Sequence, residues 1–380
     1  MLPLNDVRVI EFCQVAAGPF CGMLLADFGA DVIKVENPES GDSMRAWPPL
    51  SNGFSENFAS VNRNKRSITL DLKSPEGLEI ARKLVNSADV MIENFRAGVL
   101  ERLGLGYETL KKDHNSLIYC SISAYGQTGP RAREGGFDLT VQAMSGIMSV
   151  TGEPNGVPVK CGVPLSDFSA GLYAAYAITA AMMNVRRGEP GCHIDVSMLG
   201  ASLGIAALQT SEYFGTGQDP TKLGSAHPRN APYQAFQAKD GYFAMAAGND
   251  RLWRSVCSVI GHMEYFDDPR FTTTTKRATN QAALKDLLEQ VFSRETINHW
   301  LSAFGKAGVP CTPINNYSQV LNDPHVAHMG WVKDLELPSG HNTKTFISPI
   351  IFNNQALGIQ RPPPALGEHN DEILSEIAKY

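Results

Sequence analysis

The side chain with the clearest chemical potential is Asp167. It lies in "CGVPLSDFSAGLYAAYAITAAMMN", residues 161–184, and residues 168–184 carry no charge. A carboxylate at the mouth of so apolar a run sits near the N-terminus of a buried helix, whose dipole favours the ionised form by roughly 0.3–1 kcal/mol. The small residues of that helix let a ligand approach closely. An ionised carboxylate in a dry pocket is suited to attack an activated acyl group. The position also suits a helix cap, with Ser166 or Asp167 accepting from the first amides. The two roles are compatible.

Other residue sets suggest a ligand. "FCQVAAGPFCG" (12–22) lies on the first strand-to-helix turn, where parallel sheets bind ligands. It is not a GxGxxG turn, so a nicotinamide cofactor gains little support, and a tight turn into a buried helix is the other reading. "ENFRAGVLERLGLGYETL" (93–110) brings Asn94, Arg96 and Arg102, and "VNRNKRSITLDLKSPEG" (61–77) brings Arg63, Lys65 and Arg66. Basic residues on loops at one sheet edge suit a phosphorylated ligand; solvated surface charge is the alternative. "GSAHPRNAPYQAF" (224–236) supplies His227 and Arg229, an arginine being suited to bidentate contact with a substrate carboxylate. Ordinary linker turn residues would read the same way.

These residues need elements to position them. "VRVIEF" (7–12), a helical "AGPFCGMLLADFGA" and "DVIKVE" (31–36) form a strand, helix and strand, which implies a parallel sheet. "SPEGLEIARKLVNSA" opens with Ser-Pro-Glu, a good helix start, and runs into "DVMIENF". "SLIYCSISAYG" (116–126) and "GCHIDVSML" (191–199) read as further strands. The fold class is therefore α/β. A Gly- and Pro-rich linker at 215–230 precedes three helical patterns, "DRLWRSVCSVIG", "NQAALKDLLEQVFSR" and "TINHWLSAFGKAG". Residues 1–215 are expected to form a large domain and 226–325 a small α+β domain. Residues 326–380 end in an amphipathic helix after a proline run.

Composition removes several functions. At 380 residues, 43% hydrophobic and 19% charged, the chain is folded and long enough for two domains. The net charge is −6 and no long basic run occurs, so nucleic acid is not an expected partner. The N-terminal stretch lacks a signal-peptide pattern. The 168–184 run is rich in Ala and Gly, and a buried core helix is expected there rather than a membrane span. Seven scattered cysteines without CxxC suit the reducing cytoplasm, and no His/Cys spacing predicts a metal.

Taken together, the blocks "LADFGADVIKVENPESGD" (25–42), "NRNKRSITLDLKSPEG" (62–77), "ADVMIENFRAGVLERLGLGYETL" (88–110), "SAYGQTGP" (123–130), "GFDLTVQAMSGIMSVTG" (136–152), "VPLSDFSAGLYAA" (163–175), "HPRNAPYQAFQAKDGYFAMAAGND" (227–250), "GVPCTPINN" (308–316) and "LGEHNDEIL" (366–374) resemble the class III CoA-transferases, the formyl-CoA transferase-like CaiB/BaiF family. They span nearly the whole chain in order. The resemblance implies a large Rossmann-like domain built from both chain ends, a small domain, and two subunits interlocked as a homodimer. It implies coenzyme A and acyl-CoA as substrates, with no permanently bound cofactor. Asp167 stands at the family's catalytic aspartate, which forms an aspartyl anhydride and then an aspartyl-CoA thioester. The carboxylate must be ionised yet shielded, because water hydrolyses the anhydride.

Asn94, Phe95 and Arg102 match the family's nucleotide- and pantetheine-binding positions, and Leu70 and Leu72 lie near its adenine pocket. At the first turn formyl-CoA transferase has His and Gln where this chain has Gln14 and Ala16, with Val15 between them. Its Arg after the second strand is Asn37 here, so Lys34 or an Arg of the 62–66 segment is expected to hold the phosphates. Formyl-CoA transferase also has a glycine run over its aspartate and a longer small domain. The short 224–236 segment points instead to C4–C5 dicarboxylates, recognised by His227 and Arg229. The α-methylacyl-CoA racemases of this fold need a histidine where Phe137 stands, and phenylalanine shuttles no proton. Asp138 beside it orients substrate or makes a structural hydrogen bond. A non-catalytic CoA-binding protein is the third alternative.

Overall fold

Residues 2–378 are described in a computed structural model of the chain. The first compact unit comprises Met1–Ile147, Lys160–Gln218 and Pro324–Tyr380; the second comprises Met148–Val159 and Asp219–Asp323.

Six strands make the frame of the first unit: β1 (Arg8–Phe12), β2 (Asp31–Glu36), β3 (Lys65–Thr69), β4 (Val90–Glu93), β5 (Ile118–Ser123) and β6 (His193–Ser197). They pair in parallel in the order β3-β2-β1-β4-β5-β6. This is the doubly wound order, which reverses between β1 and β4. Period-two alternation sends successive side chains to opposite faces. Val9, Val90 and Cys120 join α1 (Ala17–Asp27) and α4 (Leu165–Val185) on one face. Ile10, Met91 and Tyr119 join α2 (Pro75–Asn86) and the C-terminal helix Asn370–Ile377 on the other. Helix α2 starts as its sequence dictates, with the Ser74 hydroxyl accepting from Gly77 N and Pro75 at the first position.

Two expectations need correction. Residues 65–69 are a buried strand rather than a basic loop: Lys65 and Arg66 are neutralised by Glu11 and Asp31. Helix α4 is a core helix on one face only. Ala170, Ala174 and Ile178 are buried, whereas Leu172, Tyr173, Tyr176 and Met183 are exposed. By length and composition this helix is apolar enough to cross a bilayer. Between α2 and α4 lies α3 (Asp138–Met144); after β6 the chain continues directly into α5 (Met198–Ile205) and α6 (Ala207–Thr216).

The second unit holds an antiparallel sheet of Tyr233–Ala238, Gly241–Ala246 and Cys311–Pro313, with the middle strand in sequence at one edge of neither pair but between both partners. Helices Asp250–Ile260, Gln281–Phe292 and Ile297–Lys306 cover it. Phe236, Phe243, Phe292, Trp300 and Phe304 form its aromatic core.

Candidate active site

At the point where strand order reverses, two loops are fastened to each other. Gln14 follows β1 and Asn94 follows β4. Gln14 N donates to Asn94 Oδ1 at 2.9 Å, and Asn94 Nδ2 donates to Gln14 O at 2.8 Å. Phe95 N donates to Glu93 Oε2 at 2.9 Å, which sets the next residue. Burial pushes the Glu93 carboxyl up to about 7, against the hydrogen bonds it accepts from Ser121 and Phe95.

A cavity opens on either side of this clasp, and Gln14 and Phe95 line both. One, of about 360 Å³, is lined by Asn37, Leu70, Leu72 and Arg102. The other, of about 380 Å³, is lined by Val15, Ala16, Asn94 and Asp167. The nine positions expected to hold CoA and the expected nucleophile therefore share the carboxyl edge of one sheet. Asn37 is partly committed: its Oδ1 accepts from Glu39 N and Ser40 N and so closes a turn.

Asp167 lies in the first turn of α4 but caps nothing, since the helix begins after Pro164 with no side-chain cap. Among the described residues its carboxylate makes no hydrogen bond and no ion pair. Burial, and then the charge of Asp138, push it up to about 7. The helix dipole favours the ionised form by roughly 0.3–1 kcal/mol, less than one pKa unit. Burial wins, and near neutrality the carboxyl is ionised only in part.

Asp138, at the start of α3, acts on the same helix end. Its Oδ1 accepts from Ser166 N at 2.9 Å and its Oδ2 from Gln142 Nε2 at 2.7 Å. Gln142 Oε1 in turn accepts from Cys161 N at 2.9 Å. Ser202 Oγ on α5 donates to Ser166 Oγ at 2.9 Å. Asp138 thus supplies from another helix the cap that α4 lacks. Phe137, 75% exposed, lines the Asp167 cavity and brings no proton-transfer group.

The expected phosphate ligands are elsewhere. Lys34 is fully buried, paired with Glu11 at 3.1 Å and Asp42 at 2.9 Å. Lys65 pairs with Glu11 at 2.8 Å, and Arg63 forks onto Asp27. Arg66 binds Asp31 at 2.6 Å and Glu376 at 2.7 Å, fixing the C-terminal helix. Apart from Asp42, each opposing carboxylate comes from a distant stretch of chain, so these charges read as available in the sequence. Arg102 is exposed on the first cavity and has no ion-pair partner among the described residues. Lys73, which the sequence reading passed over, lines the same cavity and is exposed. Its one signal was its place just after Leu70 and Leu72, on the loop that follows β3 (Lys65–Thr69).

His227 and Arg229 belong to the second unit. His227 Nδ1 accepts from Arg229 N and Asn230 N, each at 3.1 Å, and the ring packs on Tyr233. Burial, then the Arg229 charge, lower its pKa. His227 lines a cavity of about 710 Å³ beside Tyr233 and Cys311. Among the described residues no group of three or more His, Cys, Asp or Glu side chains could hold a metal ion.

Comparison with known proteins adds sequence kinship to this geometry. Residues 4–370 match the family described as CoA-transferase family III. The chain is 42% identical to a succinate–glutarate CoA-transferase of Agrobacterium fabrum, over 99% of this chain and 96% of that protein. It is 38% identical to succinyl-CoA:glutarate CoA-transferase of Homo sapiens, covering 100% of this chain and 86% of that one. A solved CaiB/BaiF family protein of Brucella suis superposes with a TM-score of 0.87 at 40% identity, over 99% of each chain.

Proposed function

The chain belongs to CoA-transferase family III, and from that premise we propose that it moves CoA from succinyl-CoA or a similar thioester to a C4–C5 dicarboxylate, with Asp167 as nucleophile. The observation that carries the assignment of Asp167 is its isolation: an unpaired, half-buried carboxylate in a cleft that meets a second cavity at Gln14 and Phe95. The names of the relatives from Agrobacterium fabrum and Homo sapiens support the dicarboxylate class.

The proposed reaction balances without a net proton. An Asp167 oxygen attacks the thioester carbon, the C–S bond breaks, and CoA leaves as thiolate. The mixed anhydride that results is then attacked at its aspartyl carbonyl by the thiolate. The first acid departs as carboxylate and an aspartyl-CoA thioester remains. The acceptor carboxylate attacks that carbonyl, expels the thiolate and forms a second anhydride. The thiolate attacks its acyl carbon, giving the new acyl-CoA and free Asp167. CoA is substrate throughout. Leu70, Leu72 and Asn37 are proposed to wall its adenine, and Arg102 to meet its phosphates. Gln14, Val15, Ala16, Asn94 and Phe95 are proposed to line its pantetheine arm. Asp138 orients the helix end that carries Asp167. His227 and Arg229 are proposed to read the acceptor's second carboxylate; an unchanged acceptor KM in Arg229→Ala would remove them.

A racemase of this fold needs a second base where Phe137 stands, and a passive CoA binder has no use for an unpaired Asp167. The exposed apolar side chains Tyr176, at 72% exposure, and Phe214, at 81%, support a homodimer, interlocked as in the family. Light scattering at twice the chain mass is the expected result.

The assignment is tested by mass. The enzyme is mixed with succinyl-CoA, quenched in acid and digested, and the peptide containing Asp167 is weighed. A gain of one CoA minus water is expected. If succinyl-, glutaryl-, acetyl- and formyl-CoA all leave that peptide unmodified, the covalent reading fails. Loss of α-deuterium from a branched acyl-CoA would then favour the racemase.

A further inference from the structure

The turn between the two cavities contains a residue in the wrong backbone region for its type. Val15 has φ +67°. A β-branched residue rarely takes this left-handed conformation, which costs it a clash between Cβ and the backbone. Such strain persists only where surrounding contacts over-determine it.

Those contacts are specific. Both oxygens of Asp42 accept from Val15 N, at 3.0 and 3.1 Å. Asp42 is paired with Lys34 at 2.9 Å, and Lys34 Nζ also donates to Cys13 O at 2.7 Å. One ion pair therefore grips the turn on both sides of Gln14, whose own N–H and carbonyl are held by Asn94. Burial works against the Asp42 charge, yet Lys34 and the amides of Met44 and Val15 hold its carboxyl below the ordinary range. The cluster of Glu11, Asp42, Lys34 and Lys65 is fully buried and balances to zero charge.

The strained conformation connects to Asp167 through packing. Val15 lies against the apolar cluster of Met23, Met44 and Phe58, as does Phe168, the residue after Asp167. Phe20 bridges to Phe168 with ring centroids 4.7 Å apart.

We infer that Asp42 is a positioning residue: with its charge fixed by Lys34, it holds Val15 left-handed and thereby keeps the turn shared by the two cavities in the shape that lets a CoA thioester reach Asp167. The activity arm of this inference rests on the transferase mechanism proposed above; the backbone arm does not. Asparagine at position 42 cannot serve Lys34, Val15 N and Met44 N with its single acceptor oxygen, and its amide would face donors. The Gln14–Val15 peptide then relaxes to negative φ at residue 15.

The test is a double-mutant cycle on the full-length enzyme. Asp42→Asn is expected to lower kcat/KM for succinyl-CoA by about 100-fold, the scale of a misplacement near 1 Å. Glycine takes positive φ without a clamp. In the Val15→Gly background, whatever that change itself costs, adding Asp42→Asn is expected to lower kcat/KM further by no more than about threefold. The melting temperature should fall in both backgrounds, because the buried ion pair is lost in both, and by less where Val15 is released from its strained conformation. Equal activity losses in the two backgrounds would reduce Asp42 to a stabilising residue and overturn the inference. A crystal structure of Asp42→Asn is the arm independent of activity: residue 15 still at positive φ overturns it as well. If Asp42→Asn alone does not fold, the double variant decides, since the inference requires it to match Val15→Gly. A wild-type enzyme that exchanges no CoA would refute the transferase mechanism and leave the crystallographic arm to judge Asp42.

Discussion

Gly171 presses against the backbone of Ala17. A Cβ built on it would lie 2.7 Å from the Ala17 carbonyl oxygen and 3.0 Å from the Phe20 ring. Gly171 is one turn along α4 from Asp167, and Ala17 opens α1 and lines the same cavity. The close approach of the two helices is what sets the carboxylate over the first turn of α1.

Gly171→Ala tests that statement. Helix propensity alone favours alanine by roughly 0.8–1 kcal/mol. Overpacking against backbone costs about 1–3 kcal/mol. The clash should win, giving a lower urea midpoint and kcat down by about tenfold to 100-fold as Asp167 is displaced. A protein stabilised by the alanine, with full activity, would show that the helices have room to spare.

The acid limb of catalysis should report Asp167. As its carboxyl is pushed up to about 7 by burial and the Asp138 charge, kcat/KM for an acyl-CoA should rise with pH to about 7 and then level, falling about tenfold per unit on the acid side. Asp138→Asn removes a negative charge while keeping an acceptor for Ser166 N. The midpoint should move to lower pH. An unchanged midpoint would take Asp138 out of the electrostatics.

Stability should carry the opposite signature. A carboxyl whose folded pKa is raised destabilises the fold as pH rises from its unfolded value, near 4, through about 7. Asp167→Asn should therefore abolish exchange and raise the melting temperature at pH 8, with the gain shrinking toward pH 4. A gain independent of pH would mean that something other than charge was relieved.

Arg102 and Lys73 are exposed on the same cavity. Each exposed charge is worth about 0.2–1 kcal/mol. Alanine at either should raise the KM for CoA esters up to about fivefold, the two together multiplicatively, with the effect fading at high salt. Steady-state kinetics in two ionic strengths decide it, and salt-independent changes would argue for packing instead.

The parts of this molecule legible in its sequence are those written locally. Strand β5 is an uncharged run rich in β-formers, helix α2 announces its start with Ser74 and Pro75, and Asp167 stands out as a charge before uncharged chain. What stayed hidden depends on distant partners. Strand β3 begins with Lys65 and Arg66, which look like surface until Glu11, 54 residues away, and Asp31, 35 away, take up their charge. The raised pKa of Asp167 comes from burial and then from the charge of Asp138, whose own bond to Ser166 N spans 28 residues. Lys34 looked like a phosphate ligand because nothing in a linear reading shows it sealed beneath the turn it supports.

The wall that Gln14 and Phe95 contribute to both cavities has a consequence for how such an enzyme relates to its surroundings. On the proposed chemistry the nucleotide end stays moored on one side of that wall while the acyl group is exchanged on the other. The thiolate is then a tethered reagent, recaptured because its effective concentration beside Asp167 far exceeds anything in solution. No pool of free coenzyme is drawn on or replenished. Since one thioester is made for each one broken, the direction of flux is left to the abundances of the two acids and their esters, and the protein works as an exchanger between them.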